Sequence, residues 1–415
     1  MIRSLLEARL AWRNVWRNPR RTALTVAATV FAVVLVVFFV AMAAGGHEKM
    51  IEDSVRVHSG HVSIVGPGYL EDRTLERFVR FGPPLAAVLQ RTPGIRGYSP
   101  RVVGFGLLAN DAATRGVAVL GVDPERERQV STLPERLRQG VFVSPDRHRG
   151  IVLGQRLAES LSVTLGDEVL LYSIAYSLES AYELFTVIGI MKLPEPQLDR
   201  SLAVISLADA QEFYVYGDRV TEVAIIAASA AEAPVVAAAL AGELPLLGGS
   251  AAESHTWDER IPELRQLIFL DDAGMYIMLA ILVVVVGFGI LNTMLMSVLE
   301  RTREFGVVLA LGLRPGAVFR VVYVESMLLA TVGLVVGLAI AIPLTLYFVQ
   351  HPVALWGAAV GATELWGIEP VITWKLKPLN PIGTAITIFA VAALAALHPA
   401  LKASRGRPVD ALRHI

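Results

Sequence analysis

Asn292-Thr293-Met294-Leu295-Met296-Ser297-Val298-Leu299-Glu300-Arg301-Thr302-Arg303-Glu304-Phe305-Gly306-Val307-Val308-Leu309-Ala310-Leu311-Gly312-Leu313-Arg314-Pro315-Gly316-Ala317-Val318-Phe319 is the stretch around which the chain is organised. An apolar helix reaches a charged cluster here, Glu300, Arg301, Arg303 and Glu304. It continues as an amphipathic segment that stops at Leu313-Arg314-Pro315-Gly316. Gly and Pro just past a periodic segment are helix stops. Residues 300–318 therefore read as a short helix between two apolar runs, a handle on the cytoplasmic side.

Upstream, residues 258–299 carry a helical pattern that is almost unbroken from Arg260, with Asp271 and Asp272 at the outer membrane boundary. At 1.5 Å per residue this is about 60 Å, twice the hydrocarbon thickness of about 30 Å. The excess must project as a stalk, and a rigid rod transmits displacement where a loop would absorb it. Downstream, residues 319–349 and 379–401 are further apolar runs of spanning length, separated by a Trp- and Pro-containing external loop, 350–378. Residues 23–44 are free of charge and form the first span. Ala41-Met42-Ala43 resembles a signal-peptidase site, but the apolar run is too long for a typical signal core, so it reads as an anchor.

Orientation follows from basic residues. Residues 1–22 hold Arg3, Arg9, Arg13, Arg17, Arg20 and Arg21 against Glu7, with Leu5, Leu6, Leu10, Trp12 and Trp16 at roughly helical spacing. That pattern predicts an amphipathic helix on the inner membrane face, or an ordinary basic flank. With the arginines of the handle and with Lys402, Arg405, Arg407 and Arg413 in the tail 402–415, it places both ends in the cytoplasm.

Residues 45–257 read as a folded α/β domain outside the cytoplasm. Strand patterns fall at His61–Val65, Arg101–Leu108, Arg115–Val122, Ile151 onward, Glu168–Tyr172, Glu183–Ile190, Ala203–Ile205 and Glu222–Ile226. Helical patterns fall at Pro84–Gln90, the segment ending near Ser162, Ala208–Tyr214 and residues 231–242. The fold class expected is a membrane α-helical protein of four transmembrane helices, plus a mixed α/β periplasmic domain of two lobes on helical stalks.

Composition narrows function. The 415 residues are 54% hydrophobic, with mean hydropathy +0.54, far more apolar than a soluble domain needs. Net charge is −1, so no bulk basic character argues for nucleic acid. The absence of cysteine excludes disulfides, zinc-cysteine sites and a lipidated N-terminal cysteine. No G-x-x-x-x-G-K-[ST] motif occurs, so this sequence carries no phosphate-cradling loop of that kind. His47, His58 and His61 have no carboxylate pattern to complete a metal site, and no metal is expected.

Glu300-Arg301-Thr302-Arg303-Glu304-Phe305-Gly306 through Ala310-Leu311-Gly312, then Glu325-Ser326, Gly333 to Gly337 and the tail Pro408-Val409-Asp410-Ala411-Leu412-Arg413, resembles the FtsX-like permease family. This branch of the ATP-binding-cassette transporters includes the macrolide exporter and the lipoprotein-releasing permeases. Residues 11–22, Ser59-Gly60-His61-Val62 and Pro67-Gly68-Tyr69 look most like lipoprotein-releasing permeases. Val152-Leu153-Gly154 through Leu165-Gly166-Asp167 matches the family's external domain, a porter-like lobe plus a second α/β lobe. The resemblance implies an inner-membrane permease without an enzymatic site of its own. A cytoplasmic ATPase dimer would hold ATP and Mg, and a second permease chain, identical or paralogous, would complete the assembly. It implies a lipoprotein or amphiphilic substrate worked on from the outer side, with membrane lipids around it. Efflux through an adaptor and duct, or regulation of a periplasmic hydrolase, are the alternatives. One departure stands out: the interval Ser173–Tyr182 is short and lacks proline, where a carrier-recruiting subunit has a protruding Pro-containing loop.

The resemblance assigns ATPase coupling to Glu300, Arg301, Arg303, Glu304, Phe305, Gly306, Ala310 and Gly312, although a solvated face under positive-inside bias alone would also place arginines at a span end. Gly333 and Gly337 form a G-x-x-x-G pair suited to close helix packing, for which lipid-facing glycines are an equal account. Glu325, an acid within the third apolar run, is expected to pair with Arg320 or a neighbouring helix. Val37, Phe38, Met42, Met275, Met278 and Leu282 are candidate substrate-facing residues, for which bilayer contact is an equal account.

Overall fold

The computed structural model describes residues 17, 19–247, 251–357, 360 and 370–405. The amphipathic segment expected over residues 1–22 and the tail motif 408–413 lie almost wholly or wholly outside them. The chain divides into two compact units, one of residues 1–47, 268–353 and 372–415, the other of 48–267 and 354–371.

In chain order, α1 is Pro19–Val57, longer at both ends than the predicted span 23–44. The α/β domain follows with β1 (Val62–Val65), β2 (Val79–Arg80), α2 (Pro83–Arg91), β3 (Ile95–Ala109), β4 (Thr114–Val122) and α3 (Pro124–Val130). Then come β5 (Leu137–Gly140), β6 (Gly150–Gly154), α4 (Gln155–Leu161), β7 (Glu168–Ile174), β8 (Ser180–Met191) and β9 (Leu202–Ser206). It closes with α5 (Leu207–Phe213), β10 (Arg219–Val220), β11 (Glu222–Ala227), α6 (Ala233–Glu243) and β12 (Glu253–Thr256). After the short helical turn Trp257–Arg260, the described residues form α7 (Pro262–Glu300), α8 (Thr302–Ala310), α9 (Pro315–Gln350) and α10 (Leu379–Ser404). Among the described residues α1, α7, α9 and α10 are long and apolar enough to cross a membrane.

The two expected lobes share one sheet. Strands run β12-β1-β11-β3-β4-β9-β6-β8-β5, with β7 bridging β3 and β8. The join is β3, seven residues longer than its predicted strand. Its first half pairs with β11 from Ile95 to Arg101, and its last three residues pair with β7. The β3–β4 turn is set by Asn110, whose side-chain oxygen accepts from the backbone N–H of Ala112 and Ala113, a side-chain mimic of a backbone turn. A single hydrophobic cluster runs from Val62 and Ile225 in one lobe to Leu153 and Phe185 in the other, while a smaller one gathers Leu120, Val152, Met191 and Val204. Strands β7 and β8 extend into the interval Ser173–Tyr182, leaving a tight connection with Leu178 in the left-handed region.

Within the helical unit, α1, α7, α9 and α10 meet through Ile290, Met294, Leu329, Ala330 and Ala392, with Val26 packed against them. A second cluster holds Ala32, Val33, Val37, Ala341 and Ile388. α1 and α9 approach closely at two glycines. A Cβ on Gly333 would lie 2.7 Å from the Thr29 Cβ, and one on Gly337 would lie 2.7 Å from the Val33 Cβ. Two glycines four apart on one helix thus face two β-branched residues four apart on the other, the small-residue geometry that lets helix backbones approach.

Candidate coupling site at the helix break

The predicted handle 300–318 is narrower in the structure. α7 ends at Glu300, α8 covers Thr302–Ala310, and α9 starts at Pro315, four residues before the predicted span. The end of α8 is a Schellman cap: Gly312 N–H donates to the Leu309 carbonyl at 3.0 Å and Leu313 N–H to the Val308 carbonyl at 3.2 Å. This needs φ near +90° at Gly312, a conformation that glycine adopts at no steric cost. Arg314 then caps α9 with extended backbone, and Pro315 occupies its first turn, where no N–H is missed.

Two faces of α8 do different things. Phe305 and Leu309 pack against Val298, Val318, Val322, Ala400 and Ala403, which fixes the short helix to the ends of α7, α9 and α10. Gly306 is buried on that same short helix. Arg303, Glu304, Val307, Val308, Ala310 and Leu311 are exposed, as are Glu300 and Gly312 on either side. The coupling residues proposed from sequence therefore split into an outer set (Glu300, Arg303, Glu304, Ala310, Gly312) and an inner set (Phe305, Gly306), with Arg301 at the hinge.

Arg301 joins a chain of charges. Its Nη1 donates to Glu325 Oε2 on α9 at 3.1 Å, and its Nε donates to Glu304 Oε2 at 3.2 Å. The guanidinium also lies 5.2 Å from the Phe305 ring centre. Glu304 is held from its other side by Arg17, which donates through both Nη1 and Nη2. Hydrogen bonds from Arg17, then those from Arg301, hold the Glu304 carboxyl below its ordinary range. Glu325, expected to pair with Arg320 or a neighbouring helix, is thus paired with Arg301 at the helix break. Arg17 was legible as a basic residue near the N-terminus, but nothing in the sequence links it to a carboxylate 287 positions away.

The candidate substrate-facing residues separate. Val37 is fully buried among Ala32, Val33, Ala341 and Ile388, so its apolar surface is already covered. Phe38 stacks edge-on against Phe348 and at a tilt against Trp374, each 5.3 Å away between ring centres. Met42, Met275 and Leu282 are half-buried and Met278 is exposed. Of the histidines, His47 Nε2 lies 2.6 Å from Asp271 Oδ2, and His61 Nε2 lies 3.2 Å from Glu52 Oε2.

Residues 22–243 match the family model described as MacB-like periplasmic core domain, and residues 276–408 match that described as FtsX-like permease C-terminal. The chain is similar to the lipoprotein-releasing system transmembrane protein LolC of Neisseria meningitidis serogroup B, 24% identical over 387 residues, covering 90% of each chain. It is also similar to the lipoprotein-releasing system transmembrane protein LolE of Haemophilus influenzae, 24% identical over 383 residues and 89% of each. A shorter similarity, 34% over 128 residues, is to the macrolide export ATP-binding/permease protein MacB of Rhodopirellula baltica, covering 31% of this chain and 16% of that one.

Proposed function

The chain belongs to the family of the MacB-like periplasmic core domain, joined here to an FtsX-like permease C-terminal region, and on that premise we propose how this transporter permease works. It is an inner-membrane protein with a periplasmic domain, and its task is to couple ATP hydrolysis on a separate cytoplasmic subunit to movement of that domain. The observation that carries this reading is the clamped helix α8. It sits at the end of the unbroken 39-residue helix α7; its Glu304 is bonded to Arg17, and Arg301, which caps it, is bonded to Glu325 of α9. A push on α8 is delivered to packed helices rather than to a slack loop.

The substrate class we favour is a lipoprotein drawn from the outer leaflet of the inner membrane, supported by full-length similarity to permeases of that name. The tight β7–β8 connection lacks a protruding loop, which favours a subunit that does not itself capture a carrier. The partial similarity to a macrolide export protein supports a second reading, export of a toxin or peptide from the periplasm. Purification with co-expressed partners, followed by mass spectrometry of proteins and lipids, tests both. A triacylated protein with an ATPase and a second permease is the result expected. An adaptor with two copies of this chain and no lipoprotein would move the assignment to efflux. In the assembled complex Glu304→Ala should abolish substrate-stimulated ATP hydrolysis; unchanged coupling would remove α8 from the mechanism.

A further inference from the structure

A second site lies wholly within the α/β domain, in a cleft of about 290 Å³, close to the lower end of the range for ligand pockets. One wall is a strip of sheet. Val103 and Phe105 on β3 stand directly opposite Leu120 and Ala118 on β4, and Ala118 stands beside Leu202 on β9. Phe105 is left exposed, as is Leu107 two residues further along the same strand face.

The other wall is charged. Arg101, fully buried, is held by both carboxylate oxygens of Glu127 and lies 3.6 Å from Glu222. Glu222 in turn takes a hydrogen bond from Arg260 Nη2. Arg260 lines the cleft, and its side chain is only 7% exposed. Its Nε and Nη1 are buried without a hydrogen-bond partner, with the Tyr69 ring centre 5.5 Å from the guanidinium carbon. Buried guanidinium donors left open are costly, and an acidic oxygen from outside would satisfy them. Exposed Arg73 also lines the cleft. The charged side chains lining the polar end are thus two guanidiniums (Arg73, Arg260) against one carboxylate (Glu222), a positive surplus, with the fully buried Arg101–Glu127 pair behind them.

We propose that this cleft binds an anionic amphiphile, its acidic head on Arg260 and Arg73 and its alkyl chain along Phe105, Ala118 and Leu202. Neither half suffices alone. The guanidiniums select the acid, and the strip excludes a small hydrophilic anion from most of its binding energy. The cleft also touches Val57 at the end of α1, and Arg260 and Ile261 just before α7. Arg101 additionally donates to the His58 carbonyl, directly after α1. Occupancy therefore bears on the residues from which both long helices leave the domain. All the residues belong to one unit, so the site stands whether or not the chain serves as a permease.

The test uses the full chain in phosphatidylcholine nanodiscs and dodecanoate carrying a terminal diazirine, with adducts mapped by peptide mass spectrometry. Adducts are expected between Val103 and Leu120, competed by dodecanoate and dodecyl phosphate but not by dodecanol or inorganic phosphate. Arg260→Gln should lower labelling about tenfold, as loss of a charge-assisted hydrogen bond predicts. Arg73→Glu, at an exposed position that does not threaten folding, should act in the same direction. Equal competition by dodecanol would overturn anion selection, and displacement by inorganic phosphate would overturn the amphiphile. Labelling elsewhere, or labelling unchanged in Arg73→Glu, would overturn the site itself.

Discussion

Arg301 Nη1 and Glu325 Oε2 are 3.1 Å apart across the break between α7 and α9, with side chains 16% and 10% exposed. A pair this sheltered is screened less than a surface bridge, and removing one partner leaves the other poorly solvated. Glu325→Ala should therefore destabilise the helical unit by about 1–3 kcal/mol. Thermal unfolding of the detergent-solubilised chain checks this, and Glu325→Gln should cost less because it keeps a hydrogen-bond acceptor. Equal unfolding midpoints for wild type and Glu325→Ala would show that the pair contributes nothing.

Gly333 faces Thr29 so closely that any side chain must displace α1 or α9. The obstructing atom is the Thr29 Cβ itself, 2.7 Å from where a new Cβ would stand, so no rotamer change relieves it. Gly333→Ala is expected to cost about 1–3 kcal/mol, the usual scale of overpacking. A second change, Thr29→Gly, removes the clash and should recover part of the loss despite its own helix-propensity cost of about 0.3 kcal/mol. A double-mutant cycle of unfolding midpoints reads the coupling; strict additivity would mean that the two residues do not touch.

The spacing of Gly333 and Gly337 was readable as a repeat suited to close packing, but a lipid-facing pair reads the same, and only Thr29 and Val33 on α1 distinguish the two. The α8 stop was readable too, since Gly312 and Pro315 act through local backbone geometry. Arg101 shows what was not. A strand beginning with arginine reads as half-exposed, yet Arg101 is fully buried because Glu127 and Glu222 arrive from distant segments to neutralise it. The extra length of β3 was hidden for a related reason: Gly97 and Pro100 weaken the local strand signal, and only pairing with β11 keeps that segment extended. Arg17 with Glu304 likewise depends on chain folding, not on spacing.

Acid should weaken the Arg17–Glu304 clamp in a definite window. The Glu304 carboxyl is held below its ordinary value by hydrogen bonds first from Arg17 and then from Arg301. A carboxylate whose folded value is depressed contributes its stabilisation fully above the ordinary value of 4.5, and loses it as pH falls from there through the folded value. The difference in unfolding midpoint between wild type and Glu304→Gln is therefore expected to be constant at neutral pH and to shrink in acid below that value. A difference independent of pH would assign the effect to packing.

Leu311 separates a partner-binding role for α8 from a structural one. It is 83% exposed at the end of a helix whose other large apolar residues, Phe305 and Leu309, are packed inward. A single exposed leucine needs no explanation, but Val307 and Val308 are exposed beside it on the same short helix. Because Leu311 adds little to the packing of its own chain, Leu311→Asp should shift stability by no more than about 0.5 kcal/mol. If the outer side of α8 meets the ATPase, the same change desolvates a carboxylate at the contact and should weaken retention of that subunit about tenfold or more. Co-purification and ATP hydrolysis in the assembled complex give the two readouts. Full retention of the ATPase with Leu311→Asp would place the contact elsewhere, while loss of retention at unchanged unfolding midpoint is what a docking residue predicts.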